Sequence, residues 1–172
     1  MKWIGITGSW RITSTDVERD VRAAVRKIIS DNNGIITGGA LNVDYFATDE
    51  ALHHNLSADK IKVFLPASLA IYAAHYRKRA NEGVITHQQA EQLILQLETL
   101  QRANPAALIE NRVNTIVDKT TYYQRNQAVV DAADELYAFQ VNHSAGVQDT
   151  IDKAKAENKP VTLFSYTIKI LS

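Results

Sequence analysis

The sequence contains no cysteine, which excludes disulfides, thiolate nucleophiles and thiolate metal ligands. It also lacks an excess of either charge, because nineteen Lys and Arg residues balance nineteen Asp and Glu residues. A strong overall field toward nucleic acid or an anionic membrane is thereby excluded. No apolar run approaches the roughly 20 residues of a membrane helix, and the apolar run in MKWIGITGSW is too short for a signal peptide. We therefore expect a soluble, cytoplasmic protein with no membrane partner.

The length and the apolar content predict one domain that covers residues 1–172. A chain of 172 residues with 45% hydrophobic residues is enough for a single core. Apolar runs bounded by turn residues predict five strands, at residues 3–7, 34–37, 61–65, 136–141 and 161–164. Helical periodicity between these runs predicts an α/β fold, a doubly wound parallel sheet of order 3-2-1-4-5.

Two regions fall outside this regular alternation. Residues 66–119 are predicted to be mostly helical and are longer than a single crossover needs, so we interpret them as a helical insertion that covers one sheet edge or roofs the site. Residues 166–171 alternate weakly, which is compatible with an added edge strand or with an oligomer contact.

Glycine-containing turns follow three of the predicted strands. They are Gly8-Ser9-Trp10-Arg11, Gly38-Gly39 and residues 142–146. A turn between a strand and a helix presents unpaired N–H groups and the positive end of a helix dipole, which together favour an anion. Because the carboxyl ends of parallel strands share one edge, we predict that these turns form one pocket for a phosphate-bearing ligand.

Several candidate residues have a structural alternative. Gly38 and Gly39 either approach a phosphate or only allow a tight turn. Asp44 either contacts a ribose or is a first-turn acid favoured by the helix dipole, and the second role is preferred. Arg11 and Arg125 either bind phosphate oxygens, which we favour slightly, or pair with surface carboxylates.

The histidines do not predict a catalytic or metal site. His143 next to Ser144 suggests a base and a nucleophile, but no third orienting group is nearby, so a role in the turn is favoured. The remaining histidines lack the spacing of metal ligands, so we expect no structural metal; they are His53, His54, His75 and His87.

Four segments resemble, in order, the Rossmann-like core of the DNA-processing protein A (Smf) family. They are GITGSW, ITGGALNVDYFATDEAL, YYQRNQAVVDAADELYAF with its Arg125-Asn126 pair, and HSAGVQDTIDKAKAENKPV. The resemblance covers about two thirds of the chain, since residues 66–119 do not share it. That family belongs to a superfamily with the cytokinin-activating phosphoribohydrolases, the lysine-decarboxylase-like or "lonely guy" proteins. The resemblance implies a Rossmann-like nucleotide-binding core and a homodimer.

The sequence departs from both branches of this superfamily. The phosphoribohydrolases have a Gly-Gly-x-Gly-Thr turn followed by a catalytic glutamate, whereas here the turn is residues 144–147 and the corresponding position is Thr150. Asp149 is adjacent but is expected to point about 100° away around the helix. The single-strand-binding branch would show basic and aromatic residues along a groove, and only Tyr72, Tyr76 and residues 77–79 suggest one. The catalytic residues are therefore unknown.

Binding of a nucleotide or a nucleotide-derived phosphate ligand is the preferred hypothesis, with a sensor-like role or an unassigned activity. A bound nucleotide is the only cofactor we expect. Hydrolysis of a nucleoside 5'-monophosphate, with Asp44 or Asp149 replacing the glutamate, is the second hypothesis, and single-stranded DNA binding is the third. The predicted ligand-binding residues are Gly8, Ser9, Trp10, Arg11, Gly38, Gly39, Asp44, Arg125, Asn126, His143, Ser144 and Gly146.

Overall fold

The computed structural model describes residues 1–170, and its centre is a six-stranded sheet in which every neighbouring pair is parallel. The strands are β1 (Trp3–Gly8), β2 (Gly34–Thr37), β3 (Ile61–Phe64), β4 (Leu108–Ile109), β5 (Glu135–Val141) and β6 (Val161–Tyr166). The helices are α1 (Thr15–Ser30), α2 (Val43–His54), α3 (Leu69–Asn81), α4 (His87–Ala103), α5 (Lys119–Ala132) and α6 (Ala145–Ala156). The predicted α/β fold class is confirmed.

The strand order is β4-β3-β2-β1-β5-β6. The predicted order 3-2-1-4-5 corresponds to β3-β2-β1-β5-β6, so it is correct for the five predicted strands. The chain proceeds from β1 outward to β4 on one side and then continues through β5 and β6 on the other. The order therefore reverses between β1 and β5, and the loops after these two strands diverge to leave a crevice at their carboxyl ends.

The core forms because apolar residues match the period of each element. Ile4 and Ile6 of β1 are buried, and Ile35 and Ile36 of β2 are fully buried because helices cover both faces of the sheet. Helix α1 places the stripe Val17, Val21 and Val25 against this sheet. Its N-cap is Ser14, whose Oγ accepts a hydrogen bond from the N–H of Val17 at 3.3 Å.

The predicted helical insertion contains α3 and α4, but it also contributes β4. This strand pairs with β3 in the register Val63 to Leu108 and Phe64 to Ile109, so it extends the sheet by one strand. A strand of two residues is too short to show a period of two, which explains why the sequence pattern did not indicate it. Helix α4 begins with a capping box, in which the N–H of Gln89 donates to Oγ1 of Thr86 and the N–H of Thr86 donates to Oε1 of Gln89.

The segment after β6 closes onto the end of β5 rather than continuing as a strand. The N–H of Ile168 donates to Oδ1 of Asn142 at 2.8 Å, and Nδ2 of Asn142 donates to the carbonyl of Ile168 at 2.8 Å. Residues 167–170 form no strand, and Leu171, the last residue of the predicted tail, lies outside the described residues. Within residues 1–170 no helix combines the length and the apolarity needed to cross a membrane.

Candidate functional site

A cavity of about 670 Å³ lies at the carboxyl ends of the strands, where the strand order reverses. Its walls come from the β1–α1 loop, the turn after β2, helices α3, α5 and α6, and the turn between α3 and α4. Its lining includes Gly8, Ser9, Trp10, Gly38, Asp44, His75, Tyr76, Arg79, Asp118, Lys119, Tyr122, Tyr123, Arg125, Asn126, Ser144, Ala145, Gly146, Val147 and Thr150. This volume is in the range of pockets that hold small ligands.

The turn after β2 is held closed by the carboxylate of Asp44. Oδ2 of Asp44 accepts the N–H of Gly38 and the N–H of Ala40, both at 3.1 Å. The side chain is 5% exposed, and burial raises its pKa, while the nearby Arg125 guanidinium and the two N–H donors oppose that rise. The N–H groups that the sequence suggested as phosphate donors at Gly38 are therefore already occupied. Of the two alternatives for Gly38, these bonds support the tight turn.

The guanidinium of Arg125 lies against Gly38. Nη1 donates to the carbonyl of Gly38, and Nε donates to Oδ1 of Asn126 at 3.1 Å. A Cβ at position 38 would lie 2.6 Å from Cζ of Arg125, so a larger residue there would displace the guanidinium. Burial lowers the pKa of Arg125, but Tyr72 and Asp44 outweigh this effect and raise it, so the group is a permanent cation. Nη2 has no partner among residues 1–170, and the side chain lines the cavity.

The start of α6 presents free backbone donors to the same cavity. The N–H groups of Ala145, Gly146 and Val147 have no acceptor within the described part of the chain, and the N-cap Ser144 makes no side-chain capping bond. Instead, Oγ of Ser144 lies 2.8 Å from Oγ of Ser9, which in turn accepts the N–H of Val141 at 2.9 Å. These bonds fasten the β1 loop to the start of α6 and leave the helix terminus available to an anion.

Aromatic side chains form the wall opposite the α6 terminus. Tyr76 of α3 and Tyr122 of α5 line the cavity, and His75 contacts both rings edge to face, at centroid distances of 5.9 and 6.2 Å. The hydroxyl of Tyr72 donates to the carbonyl of Gly39 at 2.8 Å and so anchors α3 over the turn after β2. The insertion thus roofs one side of the cavity with flat, largely apolar surface.

Two groups of aromatic and cationic residues flank the opening. Trp10 is 40% exposed on the β1 side. On the opposite side the ring of Tyr123 lies 5.4 Å from Nζ of Lys119 and 5.1 Å from Nζ of Lys153. The rim of the cavity therefore combines the residue types that stack on bases and contact phosphates.

Nine of the twelve predicted site residues line this cavity, and three do not. The nine are Gly8, Ser9, Trp10, Gly38, Asp44, Arg125, Asn126, Ser144 and Gly146. Arg11 is exposed and makes no contact with the cavity, because the chain turns toward the α1 cap after Trp10. Gly39 is buried below the surface of the cavity, and His143 is exposed in a turn with a φ of 52°. The expectation that two guanidinium groups face one anion thus fails for Arg11.

Solved structures were found that share this architecture. DNA processing protein A from Helicobacter pylori, a single-stranded DNA-binding protein, is 19% identical with a TM-score of 0.68, over 94% of this chain and 64% of that chain. DNA processing protein A from Streptococcus pneumoniae is 15% identical with a TM-score of 0.63, over 99% of this chain and 52% of that chain. The fold is the Rossmann-like fold of DNA processing protein A. The resemblance seen in the sequence is confirmed at the level of the fold.

A third solved structure shares this architecture as well. The structure of TM1055 is 14% identical with a TM-score of 0.55, over 94% of this chain and 72% of that chain. This chain spans only 64% and 52% of the two DNA processing protein A chains. No family model matches the sequence, and no curated protein matches it significantly.

Within this Rossmann-like fold, the position expected to carry a catalytic glutamate holds no carboxylate. Thr150 is buried in the cavity wall, and its hydroxyl donates to the carbonyl of Gly146 at 3.1 Å. Asp149 does not line the cavity; it accepts Nδ2 of Asn126 at 3.1 Å and pairs with Lys153. Within residues 1–170 no group of three or more His, Cys, Asp or Glu side chains is arranged to hold a metal ion.

Only part of the aromatic wall of the site had a signal in the sequence. Tyr72 and Tyr76 are one helical turn apart, and this spacing indicated a shared face, but it did not indicate what the face covers. Tyr122, Tyr123 and Lys119 lie just before the recognised Arg125-Asn126 pair on α5, so that pair was the only local signal for them.

Proposed function

We propose that the cavity binds a nucleotide or a nucleotide-derived ligand through its phosphate group. The observation that carries this proposal is that three free N–H groups of α6 and the Arg125 guanidinium face one cavity. A helix N-terminus and a guanidinium are both favourable to a phosphate, and together they provide directed donors and a full positive charge.

The remaining walls suit the rest of a nucleotide. Tyr76 and Tyr122 supply flat apolar surface for a base, and the volume of about 670 Å³ is sufficient for a ligand of that size. The location also agrees with the rule for open parallel sheets, in which ligands bind where the strand order reverses. In this arrangement the phosphate lies at the start of α6, and the base lies toward α3.

A thermal-shift panel tests this proposal. A ligand at 100 times its Kd stabilises the folded state by about 2.7 kcal/mol, which corresponds to roughly 5–10 °C for a domain of this size. We expect AMP or a related nucleotide to produce such a shift. We expect Arg125→Ala to abolish it, because the full charge at the phosphate is lost. Arg112→Ala is the matched control, since Arg112 is exposed and pairs only with Glu110. A flat response to nucleotides, NAD and ADP-ribose would refute the proposal.

Binding of single-stranded DNA is a second candidate, and the rim of the cavity favours it. Trp10, Tyr123 and Lys119 all line the cavity, and together they provide stacking surface and positive charge. The similar protein from Helicobacter pylori binds single-stranded DNA. Fluorescence anisotropy with an oligonucleotide at several salt concentrations tests this function. For single strands, the logarithm of the binding constant falls by about 0.7 per neutralised phosphate for each tenfold increase in salt concentration. A signal that does not depend on salt, or no signal at all, would exclude it.

Hydrolysis of the N-glycosidic bond has less support from the geometry. Thr150 occupies the place of the glutamate, and the two carboxylates that line the cavity within residues 1–170 already accept backbone N–H groups, Asp44 from Gly38 and Ala40 and Asp118 from Thr121. Without a free carboxylate the reaction lacks the group that would act on the bond or stabilise an oxocarbenium ion. We therefore expect no free base after incubation with AMP, as measured by chromatography.

A further inference from the structure

The two edges of the sheet differ in how well they are protected from pairing with another chain. At one edge, β4 has only two residues, and so short a strand offers little backbone to a partner. At the other edge, β6 has six residues, Val161–Tyr166, with no charged residue and no proline among them. Leu163 at its centre is 51% exposed. A long, uncharged edge strand of this kind is a template for a further strand.

The register of β6 determines which of its backbone groups are free. The carbonyls of Pro160 and Tyr166 accept N–H groups from β5 and from the residue after it, both at 2.9 Å. Because successive residues of a strand direct their N–H and C=O groups to opposite sides, Val161, Leu163 and Ser165 direct theirs away from β5. Within residues 1–170, β5 is the only strand that pairs with β6, so three N–H and three C=O groups remain available at this edge.

A second cavity, of about 600 Å³, lies beside this edge on the face of the sheet that α1 covers. Its floor is formed by Tyr137 of β5 and Phe164 of β6, whose ring centroids are 6.1 Å apart. Ala23 and Ala24 of α1 line the facing wall. Phe164 therefore belongs both to the edge strand and to the cavity, and a strand added to β6 would bring its own side chains next to this floor.

The charged groups that line the second cavity favour an uncharged occupant. Lys27 pairs with Asp31 at 2.8 Å, and Asp20 pairs with an arginine of α1 at 3.1 Å. The other two charged side chains of the lining, Lys2 and Glu135, have opposite signs. A charged side chain therefore gains no net attraction here, whereas a large apolar side chain matches the aromatic floor.

We propose that the free edge of β6 binds an extended segment of another protein as an additional strand, and that this segment places one large apolar side chain in the second cavity. In such strand addition, main-chain hydrogen bonds supply affinity, and pockets for alternate side chains supply specificity. The inference goes beyond the proposed function. The second cavity lies toward the amino ends of β1 and β5, and among the described residues none lines both cavities.

A second copy of this chain fits the surface less well than a peptide segment. Two β6 strands would contribute six residues each, whereas specific interfaces use about 20–30 residues on each side. On the cavity face, β6 carries Thr162, Phe164 and Tyr166. The ring of Phe164 already stacks on Phe139 at a centroid distance of 4.5 Å, and the hydroxyl of Tyr166 donates to Asp20 at 2.8 Å. Only Thr162 would be free to project, and it is too small to fill the cavity.

Fluorescence anisotropy with two labelled, end-capped heptapeptides tests this inference. The first peptide is Thr-Val-Thr-Phe-Thr-Val-Thr, in which the apolar residues share one face of a strand, and the second has Ser in place of Phe. Because burial of a phenylalanine side chain is favourable, we expect the wild type to prefer the first peptide by about tenfold or more. Ala23 is exposed and lines the cavity, so the new ring in Ala23→Phe should occupy the cavity and abolish this preference.

Leu163→Pro and Leu163→Ala separate the backbone of the edge from its side chain. Both substitutions remove the exposed leucine, but only proline removes the outward N–H group. Because proline is tolerated in an edge strand where its nitrogen faces solvent, we expect both variants to fold with similar Tm. Leu163→Pro should bind both peptides at least about fivefold more weakly than Leu163→Ala does, since a main-chain hydrogen bond is lost.

Three results would overturn the inference. They are no binding of either peptide at roughly millimolar concentration, equal binding of both peptides by the wild type, and equal affinities of the two Leu163 variants. If Leu163→Pro failed to fold, the two peptides and Ala23→Phe would still decide the question. Sedimentation velocity adds a further check, because a wild-type dimer that Leu163→Pro converts to a monomer would assign this edge to a second copy and overturn the proposal.

Discussion

Replacement of Gly146 by alanine separates the stability of the fold from ligand binding. Gly146 lies in the first turn of α6 and lines the cavity, yet a Cβ added there would meet no heavy atom within 4 Å. Alanine is favoured over glycine in a helix by about 0.5–1 kcal/mol, because it loses less conformational entropy on folding. For a chain of this size we expect Tm to rise by roughly 1–4 °C.

The same substitution should abolish nucleotide binding. The Cα–Cβ bonds of a helix tilt toward its N-terminus, so the new methyl group projects to where an anion would approach the N–H groups of Ala145 and Val147. Differential scanning fluorimetry with and without AMP measures both effects in one experiment. The expected result is a more stable protein whose Tm no longer responds to AMP.

Gly83→Ala is the matched control for this experiment. Gly83 also has no atom within 4 Å of an added Cβ, but its φ of 76° lies in the left-handed region. Alanine there costs about 1–2 kcal/mol, so Tm should fall, while the response to AMP should remain. A decrease of Tm in Gly146→Ala would contradict the helix-propensity argument, and an unchanged response to AMP would show that position 146 is not an approach route for the ligand.

Three other substitutions test the interior of the site. Gly38→Ala brings a methyl group against the Arg125 guanidinium, so we expect a loss of about 1–3 kcal/mol in urea unfolding and no AMP response. Tyr72→Phe leaves the carbonyl of Gly39 without its donor and should cost about 1–3 kcal/mol, again measured with urea. Because burial raises the pKa of Asp44, the folded state holds the proton of this carboxyl more tightly than the unfolded state does. The resulting contribution to the free energy of unfolding decreases as pH rises above about 4, the ordinary pKa of an aspartate. The stability of Asp44→Asn relative to wild type should therefore increase from pH 4 to pH 7, and a decrease would contradict the burial effect.

Local patterns were sufficient for most of the fold. Neighbouring residues alone determine the apolar runs and the helical stripes between them, and the runs formed β1, β2, β3, β5 and β6. The parallel order follows from the alternation of strand and helix. The convergence of the glycine turns at one edge follows from that order. Strand β4 was not predicted because a segment of two residues is too short to show the alternation of a strand. It forms only when the insertion packs beside β3.

The tertiary structure decided which acceptor each hydrogen-bond donor of the site contacts. The sequence determined that Gly38, Asp44, Arg125 and the start of α6 would lie at one edge of the sheet. It did not determine that Asp44 would take the N–H group of Gly38, that Arg11 would face solvent, or that Tyr76 of α3 and Tyr122 of α5 would line the cavity. The physical reason is that periodicity fixes which face of an element is buried, whereas the partner of each polar group depends on how distant elements pack.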